Sequence, residues 1–387
     1  MKILHVISSL NLEGGGPAQG VRNLTSYYAE FGASATVLSM DEPGENLGNI
    51  SHLNNVICIG AGKGVFSYHP HLIDKIKEIA NEFDAVVVHG LWQYHGYATF
   101  KALQNLTVPY YVFPHGMLDP YFKKEYPLKH LKKYLFWLLA QHSVLKHAKA
   151  VLFTCEEEKL LAKQSFWPYS VTSVVVNYGT TLTDISTQAT AEDFFTNYPE
   201  LRGKEILLFL SRIHQKKGCD LLIQALSEVV NLNPNIHLVM AGPDQTGWKK
   251  DLITLAQTLK VDDKITWTGM LKDKLKWGAI KAADVFVLPS HQENFGISVA
   301  EALALGTPVL VSNKVNIWRE IVAMNAGIVE NDTLEGTTKL LTKWIGYKEE
   351  DKTLFKQQSL ACFKEKFDIK QASKNLLQQI KSDIQHD

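Results

Sequence analysis

One stretch limits the fold of this chain more than any other. Residues 284–312 read DVFVLPSHQENFGISVAEALALGTPVLVS. An apolar run at 284–288 precedes a polar loop, and a second apolar run at 309–311 closes the stretch. Between them Ile297, Ala300, Leu303 and Ala304 recur at helical spacing, and Gly306 and Pro308 end the helix. A strand, a loop, a helix and a second strand make a crossover. A hairpin cannot connect strands in this way, so the two strands are parallel neighbours.

The same alternation fills the chain. Strands are predicted at 2–9, 34–39, 55–59, 84–89, 109–113, 150–154 and 172–176. A second series follows at 206–210, 237–241, 265–267, 284–288, 309–311 and 327–329. Helices are predicted near 18–31, 70–82, 94–104 and 155–164, then near 218–231, 247–260, 273–281, 297–305 and 315–323. Two parallel α/β domains follow from this pattern: 1–180, a polar linker with a short helix at 181–203, a second domain at 204–365, and an amphipathic helix at 366–387. A chain of 387 residues has room for both cores. With 40 basic and 40 acidic side chains, nothing in the charge calls for a nucleic acid. Cys58, Cys155, Cys219 and Cys362 form no C-x-x-C pair, which suits a reducing, cytoplasmic setting. The first apolar run is interrupted by His5 and two serines and reads as a strand rather than a secretion signal. No apolar run reaches the roughly 18 residues of a membrane span.

Ligands of such sheets bind beyond the carboxyl ends of strands, and the candidate chemistry falls there. Glu293 lies on a loop and Gly296 opens a helix. The helix start offers backbone N–H groups and a positive dipole end to a phosphate. Glu301, eight residues after Glu293, can accept hydrogen bonds from two hydroxyls, as a ribose diol presents them. Two glutamates at that spacing are common by chance, and only the strand–helix context gives them weight. The segment SRIHQKKG (211–218) follows an apolar strand. Arg212 can clamp a diphosphate bidentately and Lys217 as a point charge; the plain alternative is a solvated basic turn. The turn GGGP (14–17) lacks both G-x-G-x-x-G and Gly-Lys-Ser/Thr, which disfavours dinucleotide and P-loop enzymes. His89 and His115 each end a strand and precede a glycine. Residues 121–150 hold seven lysines against the single acid Glu125, interleaved with leucines and aromatics. The expectation is a helix with its apolar face on the sheet and its lysines solvated. The other reading is a basic amphipathic surface for an anionic bilayer.

Taken together, GGGP, PHG (114–116), R-x4-K-G and ENFGISVAEALALGTPVLVS resemble, in order, the motifs of retaining GT-B glycosyltransferases of family 4. The resemblance covers nearly the whole chain. It implies a GT-B fold: two Rossmann-like, doubly wound domains facing a central cleft, with the C-terminal helix crossing back to the first. It implies transfer of a hexose, with retention, from a nucleotide diphosphate sugar. By family weight the donor is a UDP-sugar such as UDP-glucose, and the acceptor a saccharide or lipid-linked saccharide in polysaccharide synthesis. It places Gly15 and Gly16 near the donor phosphates and His115 against the donor sugar. Arg212 and Lys217 fall on the diphosphate, and the Met270 loop on the base. Glu293, with Asn294, Phe295 and Gly296, falls on the sugar, Ile297 and Ser298 at the helix start, and Glu301 on the ribose. No metal is implied, and the chain has no D-x-D triplet. A front-face mechanism is implied, in which the leaving phosphate assists deprotonation of the acceptor. A cytoplasmic enzyme, peripheral on the inner face of the membrane through Lys123–Lys149, fits that picture. One segment departs from the pattern: in VVVNYGTTLTD (174–184) Tyr178 interrupts the family's N-G-V-D, which leaves Asn177 without a role. A sugar-nucleotide epimerase on the same scaffold, or a non-catalytic nucleotide-sugar binder, remains an alternative.

Overall fold

The structure, a computed structural model, describes all residues except 12–15, 49, 54 and 386–387, and the side chains of residues 122 and 124. It contains two parallel sheets. The first has strands β1 (Lys2–Ile7), β2 (Ser34–Ser39), β3 (Asn55–Cys58), β4 (Ala85–His89), β5 (Tyr110–Phe113), β6 (Ala150–Phe153) and β7 (Ser173–Val175). The second has β8 (Glu205–Leu210), β9 (Ile236–Ala241), β10 (Ile265–Gly269), β11 (Val285–Leu288), β12 (Val309–Ser312) and β13 (Gly327–Glu330). The orders are β3-β2-β1-β4-β5-β6-β7 and β10-β9-β8-β11-β12-β13. Each order reverses direction once, between β1 and β4 and between β8 and β11. The central strands carry continuous Val, Ile and Leu runs because helices cover both faces: every residue of β4 and of β11 is buried.

The chain divides into two compact units, residues 1–178 with 369–387, and residues 179–368. In the first unit the C-terminal helix Ile369–Gln385 buries Ile369, Ala372, Leu376 and Ile380 in one cluster with Val21, Leu24 and Tyr28. The Ser373 hydroxyl donates to the Leu24 carbonyl at 2.6 Å, and Tyr111 donates to Asp383 at 2.9 Å. Burying each large apolar side chain is worth about 1.5–3 kcal/mol. The half-exposed Lys370–Glu30 pair at 2.6 Å adds about 1 kcal/mol at most. Apolar burial therefore decides where this helix lies.

Three segments differ from the sequence expectation. The helix expected at 18–31 is two pieces, Gly16–Thr25 and a short turn Tyr28–Phe31. The Thr25 hydroxyl donates to the Val21 carbonyl and the Ser26 hydroxyl to the Asn23 carbonyl, both at 2.7 Å, a local competition that ends helices. Residues 184–201, read as a linker with one short helix, form three: Asp184–Gln188, Ala191–Phe195 and Pro199–Leu201. They pack on the helix Asp273–Ala282: Phe194 is fully buried, and a Cβ at Gly278 would stand 2.8 Å from the Thr190 carbonyl oxygen. Finally, the leucines of residues 127–139 do not face the sheet. The inward side of that segment is aromatic, with Trp137 fully buried and stacked 5.0 Å from Phe166. The leucines, offset from it, point to solvent. Among the described residues no helix is long and apolar enough to cross a membrane.

Candidate functional site

In the second unit the sequence candidates gather at the carboxyl ends of β8 and β11, where the sheet order reverses. After β8 the chain makes a tight turn, Gln215–Lys217, ended by Gly218 at φ 65°. A Cβ on Gly218 would lie 2.2 Å from the Pro289 carbonyl oxygen. Glycine thus lets the β8 loop press against the start of the β11 loop. Two bonds hold the loops together: His291 N–H to the Lys216 carbonyl at 2.7 Å and the Ser290 hydroxyl to the same carbonyl at 2.8 Å. The outcome is an ion pair across the switch point, between the Lys217 ammonium and the Glu293 carboxylate. Lys217 is only 8% exposed and Glu293 24%. The Glu293 backbone is fixed on its other side, donating to the Lys314 carbonyl at 2.9 Å and accepting from Asn316 N–H at 3.0 Å.

Arg212 is exposed and, among the described residues, reaches Gln245, at 3.4 Å. Its guanidinium is held loosely, so it can turn to a ligand. Beyond Glu293, Asn294 is half-buried and receives the Asn316 amide at 3.4 Å. Phe295 is buried edge-on to Phe367, ring centroids 5.7 Å apart. Gly296, at φ 72°, starts the helix Ile297–Ala304 with no capping side chain. Ile297 is exposed and Ser298 half-buried. Met270, after β10 and Gly269 at φ 69°, is 62% exposed.

Glu301 is buried, and sequence reasoning missed its partner: Lys276 donates to it at 2.6 Å while lying 4.4 Å from the centre of the Trp277 ring. Burial raises the Glu301 carboxyl above its ordinary range and Lys276 opposes the rise. The sequence signal existed, a lysine on the helix that follows the β10 loop, but nothing in its spacing pointed to Glu301.

In the first unit the reversal lies between β1 and β4, and here the structure assembles something that the sequence showed only in part. His5 of β1, His89 at the end of β4 and His115 after β5 form a chain of imidazoles. His5 Nδ1 is 2.9 Å from His89 Nε2, and His89 Nδ1 is 3.1 Å from His115 Nε2. Their rings stack at centroid separations of 5.2 and 5.4 Å. His95 Nε2–H donates to the His89 carbonyl at 2.8 Å. Burial lowers His5 to about 3 and His95 and His115 to about 4, and lowers His89 well below the ordinary value. All four are neutral at pH 7. His115, half-buried at φ 50°, is the end of the chain that meets solvent.

Tyr178, the residue that interrupted the junction motif, fills this unit. It lies 6.0 Å from the His115 ring centroid and donates to the Gly16 carbonyl at 3.3 Å. A Cβ on Gly20 would overlap the Tyr178 hydroxyl, at 1.6 Å. Gly16, exposed, opens the first helix; Gly15 lies outside the described residues. Among the described residues no group of three or more His, Cys, Asp or Glu is placed to hold a metal ion.

Residues 15–178 match the model of the glycosyl transferase 4-like domain, and residues 191–364 that of glycosyl transferases group 1. The chain superimposes on HepE of Anabaena, solved with UDP-glucose, with a TM-score of 0.72 over 99% of this chain and 100% of that one, at 17% identity.

The chain belongs to the GT-B glycosyltransferases of family 4.

Its two sheets with opposed helices are the two Rossmann-like units of the GT-B fold. Within the family, similarity in sequence is local. The chain is 32% identical over 116 residues to the D-inositol 3-phosphate glycosyltransferase of Rhodococcus erythropolis, which is 29% of this chain and 26% of that protein. It is 35% identical over 108 residues to the alpha-monoglucosyldiacylglycerol synthase of Streptococcus pneumoniae, 28% of this chain and 24% of that protein. The aligned part is thus about a quarter of the length of these relatives.

Proposed function

We infer that this GT-B glycosyltransferase moves a hexose from a UDP-sugar, with UDP-glucose the first candidate, to a hydroxyl of a saccharide or lipid-linked saccharide. The observation that carries the reading is the pairing of Lys217 with Glu293 at the β8/β11 reversal. A cation for a diphosphate and a carboxylate for sugar hydroxyls stand side by side where a doubly wound sheet binds its ligand. Arg212, Lys217 and the start of the Ile297–Ala304 helix meet the charge that develops on the leaving diphosphate, with no metal in the scheme. Asn294, Phe295 and Gly296 present backbone to the sugar, Glu301 takes the ribose, and the Met270 loop the base. In the first unit Gly16 begins the helix that the family, with Gly15, places at the phosphates, and His115 offers a neutral imidazole to a substrate hydroxyl. The C1–O bond to the diphosphate breaks, a bond from the acceptor oxygen to C1 forms on the same face, and the acceptor proton passes to the leaving phosphate. UDP-glucose bound to HepE and the lipid product of alpha-monoglucosyldiacylglycerol synthase support donor and acceptor classes of this kind. Cytoplasmic placement, polysaccharide assembly and contact of Lys123–Lys149 with a bilayer complete the reading.

The test is acceptor-dependent release of UDP. Purified enzyme with UDP-glucose and a panel of saccharide and lipid-linked acceptors should release UDP only when an acceptor is present, with an α-linked product. A change at the sugar without acceptor would favour the epimerase. Binding without turnover of any donor would favour the non-catalytic reading.

A further inference from the structure

The His5–His89–His115 chain of the first unit can hold its protons in only two ways. A neutral imidazole has one N–H and one bare nitrogen, and the bond made by one nitrogen settles the state of the other. His5 Nδ1 faces His89 Nε2 at 2.9 Å, and His89 Nδ1 faces His115 Nε2 at 3.1 Å. Either all three rings carry the proton on Nδ1, or all three carry it on Nε2. Any other arrangement sets two lone pairs or two N–H groups against each other. The two ways differ at the end that meets a ligand. His115 Nδ1 is an N–H donor in the first and a bare acceptor in the second.

The far end of the chain decides between them. His5 is fully buried, and its Nε2 has no hydrogen-bond partner. Its neighbours across the sheet are Val37 and Val87. Tyr28, with ring centres 5.6 Å apart, has an unpartnered buried hydroxyl of its own, so neither satisfies the other. With the protons on Nε2, His5 would bury an N–H that nothing receives. With the protons on Nδ1 it buries only a lone pair, and orphaned buried N–H groups are the rarer of the two. His95 shows which of these the unit accepts. Its Nε2 lies 2.8 Å from the His89 carbonyl, which can only accept, so the proton is on Nε2. His95 Nδ1 is then a buried lone pair without a partner. The same solution at His5 puts the proton on Nδ1 of all three linked rings. Burial keeps these rings neutral at pH 7, as the scheme requires. The end of the chain is also held in place. The Phe113 ring stacks on His89 and His115, at 5.5 and 5.4 Å between centres. Glu158 accepts from Gly116 N–H at 2.6 Å and from the Thr154 N–H and hydroxyl at 2.8 and 2.6 Å, so its carboxylate anchors the turn that carries His115.

We propose that His5 and His89 are positioning residues that fix the proton of His115 on Nδ1, so that this ring meets a substrate oxygen as an N–H donor and not as a base. With Nε2 taken by His89, a neutral His115 has no free nitrogen to receive the proton of an acceptor hydroxyl. The role toward substrate rests on the glycosyltransferase reading above; the proton placement does not. The test is long-range proton–nitrogen correlation spectroscopy of the full-length protein with isotope-labelled histidine, at pH 7.5, each ring assigned by its own substitution. Such spectra separate the two neutral tautomers and the cation. In wild type His5, His89 and His115 should show Nδ1–H, and His95 Nε2–H. His115 as Nε2–H, as a mixture or as a cation would overturn the proposal. His89→Phe keeps a ring on Phe113 but gives His115 no N–H. His115 should then shift toward Nε2–H, the form that an imidazole prefers in water. Turnover of UDP-glucose should fall roughly tenfold, for one hydrogen bond to substrate lost, while UDP affinity stays within about twofold. In His5→Phe the bare nitrogen becomes His89 Nε2 by the same rule, so His115 should keep Nδ1–H. An unchanged His115 in His89→Phe, a changed one in His5→Phe, or turnover and UDP affinity falling together in His89→Phe would overturn the positioning role. A wild type with the expected tautomers that transfers no sugar would support the proton placement and count against the functional reading instead.

Discussion

Replacing Glu293 and Lys217 in turn separates their roles. The Lys217 ammonium is paired with Glu293, and it is almost wholly withdrawn from water. If Lys217 serves the diphosphate, Lys217→Ala removes a charge-assisted bond worth about 1.5–3 kcal/mol. UDP affinity should then fall roughly 10- to 150-fold. Glu293→Gln has the opposite logic. It keeps the shape, removes a negative charge beside the phosphate site and frees Lys217, so UDP should bind as well as before or up to about tenfold tighter. Transfer of the sugar should nevertheless fall by roughly two decades, because the carboxylate that grips the sugar is gone. The two substitutions share a partner, so their effects on UDP binding should not add. Calorimetric titration with UDP on the four proteins, with turnover measured in parallel, reads both quantities. The reasoning fails if Glu293→Gln weakens UDP binding tenfold or more, or if Lys217→Ala leaves it within twofold.

Three further outcomes follow from buried charge and backbone. Lys276→Met leaves the Glu301 carboxylate buried without its cation. The second unit should lose about 1–3 kcal/mol, or roughly 2–10 °C in melting temperature, at pH 7.5. Burial already raises the Glu301 carboxyl, and without Lys276 it rises further. The penalty is therefore present above that raised value and relieved as the pH falls through it, so the deficit should be smaller at pH 5 in a denaturation series. The buried imidazoles act in the other direction on acid. His5 and His95 are lowered to about 3 and about 4, so the unfolded chain takes up protons that the folded unit refuses. The stability they permit is intact above about pH 6.5 and drains as the pH falls toward those lowered values, by about 2 kcal/mol per ring at pH 5. His5→Phe keeps the stacking and removes one such ring, and urea titrations at pH 5 and 7.5 should show a smaller acid loss than wild type. Gly218→Ala should cost at least about 1–2 kcal/mol from the left-handed backbone alone, with more from the approach to Pro289. It should also weaken UDP binding, measured by the same calorimetry, because it forces the two loops of the site apart.

Much of this was legible in the sequence because each strand and helix states its own period. The parallel strands of Val, Ile and Leu, the helix stop at Gly306 and Pro308, and the cation after β8 are local signals. What could not be read depends on which residues the fold brings together. The partner of Glu301 is Lys276, 25 positions away on a different helix. The imidazole chain joins β1, the end of β4 and the loop after β5, and only the two histidines at strand ends, His89 and His115, drew attention; His5, inside β1, counted only as a break in the first apolar run. Tyr178 looked like an interruption of a motif until Gly20 left it room. The leucines of 128–139 have the right period for a core face. Period alone does not say which side the core lies on, and the aromatic side won through Trp137 and Phe166.

The measurement that bears most directly on the donor site is binding of UDP, GDP, ADP and NAD, by calorimetry without added metal, to wild type and Arg212→Ala. Arg212 is exposed and makes one long bond, to Gln245 at 3.4 Å, among the described residues, so its loss should leave the fold unchanged. Micromolar UDP binding by wild type, weakened by the substitution by roughly tenfold or more, is the outcome that the β8/β11 site requires. Tight NAD binding, no nucleotide binding, or a variant that binds UDP like wild type would contradict the assignment of that site.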